Sequence, residues 1–227
     1  MSPDARVAIY YAPLPEDELT TLATAWLGRD PVSGASIAQP KLSGMQEVTA
    51  EPRRYGFHAT LKSPMQIAPG RTLAAFVAAV RAMAANIAPF ELPPLAVQDL
   101  RGFLALRETT PCPALQALAD ACVEQLDPFR APLSRAELAR RRAAGLTAEQ
   151  DAMLLRWGYP YVFDAWFFHM TLTRRMSTRE KAIFLPAAEA YFSPALHAGR
   201  RVSDLCIFGQ AAPDAPFTIV ERVPLLG

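Results

Sequence analysis

The sequence predicts an α+β fold, and three observations carry that reading. Residues 55–62 and 166–174 alternate apolar and polar side chains, the mark of half-buried strands. Each is followed by a helix opened by Thr or Ser and then by two β-rich runs, so one order of elements occurs twice, offset by the 111 residues that separate His58 from His169. Finally, 227 residues with 51% hydrophobic and 20% charged side chains can bury one sizeable core or two small ones, and the composition is not that of a disordered chain.

The elements follow in order. Arg6 to Tyr11 (RVAIYY) is a β-branched and aromatic run closed by Ala12-Pro13, and reads as a strand. Pro15-Glu16-Asp17-Glu18 opens a helix to Leu27, with proline in the first turn and acids against the helix dipole, and Gly28 ends it. Residues 29–53 carry Gly, Pro, Ser and Gln without a period and read as an irregular loop. In Tyr55–Lys62 (YGFHATLK), Phe57, Ala59 and Leu61 point one way while His58, Thr60 and Lys62 point the other. Thr72 caps a helix to about Asn86, and strands are expected at 90–97 and 102–107. The section 112–157 is helical, with breaks expected at Pro128, Pro132 and Gly145. In Trp166–Arg174 (WFFHMTLTR), Trp166, Phe168, Met170 and Leu172 form an apolar face, opposite His169, Thr171 and Thr173. Ser177 and Glu180 make a capping box for a helix that Pro186 is expected to kink or split, and strands at 202–208 and 217–223 close the chain.

Charge and cysteine content narrow the function. With 23 Lys+Arg against 22 Asp+Glu the net charge is +1, which argues against a protein living on nucleic-acid or membrane electrostatics. Cys112, Cys122 and Cys206 are too few and too scattered for a disulfide framework or a zinc ribbon. The start MSPDARVAIYYAP lacks a basic region and a long apolar core, so no signal peptide is expected, and 73–90 is interrupted by Arg81 and Asn86, as suits a core helix. A cytoplasmic protein without a membrane partner is expected.

Two of the three histidines stand in the same tetrad, His58-Ala-Thr60-Leu61 and His169-Met-Thr171-Leu172. With 13 threonines and 26 leucines in the chain, that coincidence arises by chance on the order of one time in ten thousand. On a strand, positions i and i+2 share a face about 7 Å apart, so each tetrad offers an imidazole and a hydroxyl side by side. Two such pairs brought together suit in-line displacement at phosphorus. One His is the general base and the other protonates the leaving oxygen, while the hydroxyls donate to the non-bridging oxygens. A pair of buried strand histidines with ordinary hydrogen bonds is the plainer alternative. His197, in SPALHAGR, lacks the pattern and reads as a surface residue. No H-x-x-x-H, cysteine cluster or paired acids accompany the histidines, so no metal and no cofactor is expected, and no nucleophile elbow supports a serine hydrolase.

The two H-x-T-L strands resemble the signature of the two-histidine (2H) phosphoesterase superfamily. Their flanks, RRYGFHATLKSP (53–64) and WGYPYVFDAWFFHMTLT (157–173), resemble its phosphonate-metabolism branch. The resemblance covers essentially the whole chain. It implies a single bilobal α+β domain over 1–227, with two antiparallel sheets facing a central cleft and helices outside. Repeat halves are expected at roughly 55–108 and 166–224, with the helical insert at roughly 112–157. It also implies metal-independent opening of cyclic phosphodiesters, with His58 and His169 catalytic and Thr60 and Thr171 on the substrate.

Position adds further candidates. Tyr10 ends the first strand and can stack on a base or sugar, and Arg54 and Lys62 share parity with His58 and can meet a second phosphate. Trp157, Tyr159 and Tyr161 are read as packing between lobes, with a wall of the pocket as the alternative, and Arg135, Arg140, Arg141 and Arg142 as one solvated helix face, away in sequence from both His strands. The expected enzyme is a cyclic phosphodiesterase on a small ribose-type cyclic phosphate, for which a phosphoribosyl cyclic phosphate of phosphonate breakdown is the narrower candidate. The partner is thus a small phosphorylated or nucleotide-like substrate rather than long nucleic acid. An RNA 2′,3′-cyclic phosphate end-processing enzyme and a noncatalytic phosphate- or nucleotide-binding module are the alternatives.

Overall fold

Period-2 alternation needs a sheet with one face packed and one face open, and that is what forms in the computed structural model, which describes residues 5–227. Residues 1–4, part of the N-terminal segment considered above, lie outside the described residues. The first half runs β1 (Arg6–Tyr11), α1 (Glu18–Leu27), α2 (Met45–Arg53), β2 (Ala59–Met65), α3 (Leu73–Ala84), β3 (Phe90–Leu92), β4 (Leu95–Asp99) and β5 (Leu104–Glu108). Next come α4 (Pro113–Leu126), α5 (Arg135–Arg142) and α6 (Ala148–Trp157). The chain ends with β6 (Met170–Thr171), α7 (Thr178–Leu196), β7 (Arg200–Val202), β8 (Asp204–Gln210) and β9 (Thr218–Pro224).

The expected α+β class is what the chain adopts. Seven strands pair antiparallel in the order β4-β5-β6-β2-β1-β8-β9, and β3 with β7 makes a second, two-stranded sheet. The His-bearing segments meet at the β2–β6 seam, edge to edge within one sheet. The two halves of the sequence interleave in that sheet. β4 and β5, which follow the first tetrad, extend β6, while β8 and β9, which follow the second, flank β1.

One face of the large sheet carries Ile9, Ala59, Leu61, Leu106, Met170, Leu172, Leu205 and Ile207, buried against apolar residues of α1, α2, α3, α4 and α7. Fully burying a side chain such as Phe76, Phe184 or Phe192 contributes roughly 1.5–3 kcal/mol. On the other face a smaller cluster gathers Ala8, Tyr10, Ala12, Cys206, Phe208 and Phe217. No described helix is long and apolar enough to cross a membrane.

Four expectations need correction. The stretch 29–53 is not all loop, because α2 buries Met45, Val48, Thr49 and Pro52 at helical spacing. The helix lacks a side-chain N-cap, Gly44 standing there with φ 81°, and carries proline in its last turn, so the usual start and stop signals are missing. The strand expected at 90–97 divides at Pro93-Pro94 into β3 and β4, which join different sheets. Pro186 does not split α7, which passes through it and Pro194 as one helix holding Phe184, Ala188, Phe192, Ala195 and Leu196 in the core.

The fourth concerns the second His strand, which pairs over two residues instead of nine. Side chains take the place of ladder bonds around it. The Trp166 indole donates to the Thr60 carbonyl at 2.8 Å, the Trp26 indole donates to the Leu172 carbonyl at 3.1 Å, and the Thr173 hydroxyl accepts from the Leu104 amide at 2.9 Å. The alternation itself survives, with Phe168, Met170 and Leu172 all buried.

Candidate active site

The seam dictates the geometry of the site. Ala59 pairs with Met170, and both point into the core. In antiparallel register the flanking residues therefore stand His58 beside Thr171 and Thr60 beside His169, all four on the opposite face. Strands lie about 5 Å apart and i to i+2 spans about 7 Å, so the two imidazoles hold the diagonal of a small rectangle and the two hydroxyls hold the other. A pair of tetrads becomes one quartet without the strands having to face each other across a gap.

Both imidazoles are oriented in the same way. His58 Nδ1 lies 2.9 Å from the Gly56 carbonyl and His169 Nδ1 lies 3.1 Å from the Phe167 carbonyl, in each case the residue two before. A carbonyl only accepts, so Nδ1 donates its hydrogen and Nε2 is left with its lone pair toward the cleft. The Thr60 hydroxyl stands 3.4 Å from His58 Nε2. Gly56 serves this arrangement directly. Its φ is +78°, and a Cβ there would come within 2.8 Å of Pro31. Arg29, buried, ties the same turn down by donating to the carbonyls of Arg53, Arg54 and Phe217.

Burial pushes His58 down to about 4, the Gly56 carbonyl opposing and the charge of His169 adding to the fall. His169 is also lowered, first by burial, with Arg107 repelling its cationic form. Both rings are thus neutral in the free protein near pH 7.

The quartet opens into a cleft of two adjoining compartments. One, of about 690 Å³, holds His58, Thr60 and Thr171; the other, of about 660 Å³, holds His169. Thr60, Ser63, Phe103, Tyr159 and Arg175 border both, so the compartments are continuous. Among the described residues no three His, Cys, Asp or Glu side chains are grouped so as to hold a metal ion.

The other sequence candidates fare unevenly. Tyr10 is opposite Thr60 in the β1–β2 ladder and lines the cleft, but its ring is stacked on His58 with centroids 3.8 Å apart. It is buried and backs the imidazole, rather than offering a free face to a base or sugar. Lys62 leaves the cleft face because the ladder slips by one residue, Tyr10 facing Thr60 while Ile9 faces Lys62. This bulge turns the ammonium toward α4, where it donates to the Val123 carbonyl at 3.0 Å and lies 3.9 Å from Asp127, with burial pushing it down to about 8. Arg54 sits in the turn after α2, before the strand begins, and reaches out to the Pro213 carbonyl and Asp214. Neither cation is brought to the quartet. His197 is exposed at the end of α7.

The basic run is the largest correction. Arg140 and Arg141 of α5 line the His58 compartment together with Arg6, Arg174 and Arg175, although α5 is distant in sequence from both tetrads. Arg101, Arg107 and Arg175 line the His169 compartment, as do Trp157, Tyr159 and Tyr161; the two tyrosine rings also pack on each other, and Trp157 packs on Phe163. Among the described residues, only Glu51 and Asp164 bring carboxylates to this lining. A chain of net charge +1 thus lines this cleft with an excess of guanidinium groups. Sequence parity could not find these residues, because a helix such as α5 obeys no strand period.

The profile of the family described as "Protein of unknown function (DUF1045)" matches residues 60–218, which include Thr60 and the second tetrad but begin two residues after His58. The chain belongs to that family. Among curated proteins, this DUF1045 chain is 37% identical over 231 residues to "Ribose 1,5-bisphosphate phosphokinase PhnN" of Janthinobacterium sp. (strain Marseille), covering 98% of this chain and 51% of that protein. It is 36% identical over 225 residues to the protein of the same name in Laribacter hongkongensis (strain HLHK9), covering 97% and 52%. The chain therefore spans about half the length of these relatives. Among solved structures, E. coli LigT in apo form is similar over 100% of both chains, with 15% identity and a TM-score of 0.48.

Proposed function

We propose that this DUF1045 protein is a metal-independent phosphoesterase of the two-histidine type, which opens a small ribose-type cyclic phosphate. The quartet carries the reading: two imidazoles held through Nδ1 so that Nε2 is the unprotonated nitrogen, and two hydroxyls on one face, related by the seam. A phosphoryl group placed over its centre has an imidazole on either side. One imidazole takes the proton of the attacking water, whose oxygen bonds to phosphorus. The ring P–O bond breaks on the opposite side, and the second imidazole, protonated, gives its proton to the leaving alkoxide. Thr60 and Thr171 donate to the non-bridging oxygens, where charge grows in the transition state. The substrate's own negative charge favours a proton on one of the two rings, both of which burial otherwise keeps neutral.

The names of the curated relatives concern phosphorylated ribose. Their kinase activity is that of a protein twice as long, while the link to ribose phosphates supports a phosphoribosyl cyclic phosphate from phosphonate breakdown as the substrate here. The RNA-end alternative makes a different demand, since gripping an RNA chain gives an affinity that falls steeply with salt.

The test compares kcat/KM for 5-phosphoribosyl 1,2-cyclic phosphate, a nucleoside 2′,3′-cyclic phosphate and an RNA oligomer ending in one, all in EDTA. We expect a small ester to be turned over in EDTA and preferred to the oligomer. A tenfold preference for the oligomer with a salt slope of several phosphates would overturn the small-substrate reading. Activity lost in EDTA and restored by one divalent ion would overturn metal independence.

A further inference from the structure

The cationic wall beside His58 has no role in the displacement just described. Arg140 and Arg141 sit in the last turn of α5, and Arg6 opens β1; all three line the His58 compartment. Arg6 is fixed by donating to the Gln210 side chain at 2.7 Å, with its guanidinium 5.5 Å from the Phe217 ring. The Arg141 guanidinium lies 5.4 Å from the Tyr159 ring, and its Nε is buried without a hydrogen-bond partner. Neighbouring Arg142, by contrast, is paired with Asp151 at 2.6 Å. Arg6 and Arg140 both repel the charge of Arg141. A protein that crowds three guanidinium groups and leaves a buried donor unmet pays in stability unless an anion joins them. Burial pushes the Tyr159 phenol up to about 12, so that it stays a neutral donor at the same wall.

We infer that Arg6, Arg140 and Arg141 form a subsite for a second phosphate on the substrate, a terminal phosphate monoester carried by the same sugar. The inference rests on the phosphoesterase reading and adds which residues select the substrate. Charge and shape favour phosphate over a carboxylate. A monoester carries close to two negative charges and three terminal oxygens, and guanidinium forks match such oxygens in pairs. The quartet needs only one phosphoryl group, whereas a compartment of about 690 Å³ leaves room for a sugar and a second anion beyond it. Glu51 on the same lining, the one carboxylate there, works against extra negative charge. A cyclic phosphate without the second phosphate should consequently be a poor substrate, bound by the quartet alone.

The experiment measures kcat/KM for 5-phosphoribosyl 1,2-cyclic phosphate and for ribosyl 1,2-cyclic phosphate, on wild type and on the R140Q/R141Q double variant. Wild type should favour the 5-phosphorylated ester by at least 100-fold, and the double variant should reduce that ratio at least tenfold, mainly through KM. R140Q alone, at an exposed position, should reduce the ratio in the same direction if the double variant folds poorly. A wild-type ratio below threefold, or equal losses on both esters in the variants, would overturn the subsite and leave the phosphoesterase standing. If neither ester is turned over, the phosphoesterase reading fails, and calorimetric binding of ribose 1,5-bisphosphate decides the subsite. A Kd at least tenfold weaker in R140Q/R141Q supports it, and an unchanged Kd refutes it.

Discussion

Alanine at His58 or at His169 should lower kcat on the cyclic ester by about 10²- to 10⁴-fold, the range for losing a positioned acid or base. Each ring has one backbone carbonyl as its Nδ1 partner and stands partly open to the cleft, so its removal should leave the fold intact. His58→Ala also strips the stacking partner from Tyr10, so its melting temperature should fall somewhat more than that of His169→Ala. His197→Ala, at an exposed helix end, should leave kcat unchanged. Steady-state kinetics on the three variants, with melting curves beside them, checks this. Near-full turnover in either site variant would remove that histidine from the chemistry.

Thr60→Val and Thr171→Val should each lower kcat/KM by about 10- to 1000-fold, or roughly 1.4–4 kcal/mol of transition-state stabilisation. The change removes one donor and keeps the shape. Thr173→Val provides the contrast. Its hydroxyl is the acceptor for the buried Leu104 amide, so this variant should lose about 1–3 kcal/mol of folding stability instead. Three neighbouring threonines should thus separate into two that move kinetics and one that moves the melting temperature. Unchanged kinetics in both Thr60→Val and Thr171→Val would return those residues to ordinary strand formers.

The site was legible in the sequence wherever a strand period governs it. His58, Thr60, His169 and Thr171 share a face because each pair lies two apart, and pairing at Ala59–Met170 does the rest. Parity failed as soon as the period did. A bulge at Leu61 turned Lys62 toward α4, and the turn before β2 put Arg54 outside the ladder. Distances along the chain misled more seriously. The arginines of α5 read as solvated because nothing local says what a helix folds over, yet tertiary packing lays Arg140 and Arg141 on the His58 compartment. The orienting groups were invisible for a similar reason. Gly56 and Phe167 act through backbone carbonyls, and Arg29 clamps three carbonyls from distant segments. The shortness of β6 has a side-chain cause, since the indoles of Trp166 and Trp26 satisfy carbonyls that a longer ladder would have used.

The central claim is that one imidazole acts neutral and the other protonated across a single phosphorus, and the pH dependence of kcat/KM tests it most directly. That quantity reports the free enzyme, where His58 titrates at about 4 and His169 below its ordinary 6.5. As pH falls the base gains a proton and the rate drops; as pH rises the acid loses its proton and the rate drops again. Because both ionisations are depressed, the maximum should lie on the acid side of 6.5, with kcat/KM declining about tenfold per unit well above it. His58→Ala and His169→Ala should each retain one limb of the bell and lose the other. A wild-type profile flat from pH 5 to 9, or a residual activity in which both variants keep both limbs, would contradict the account.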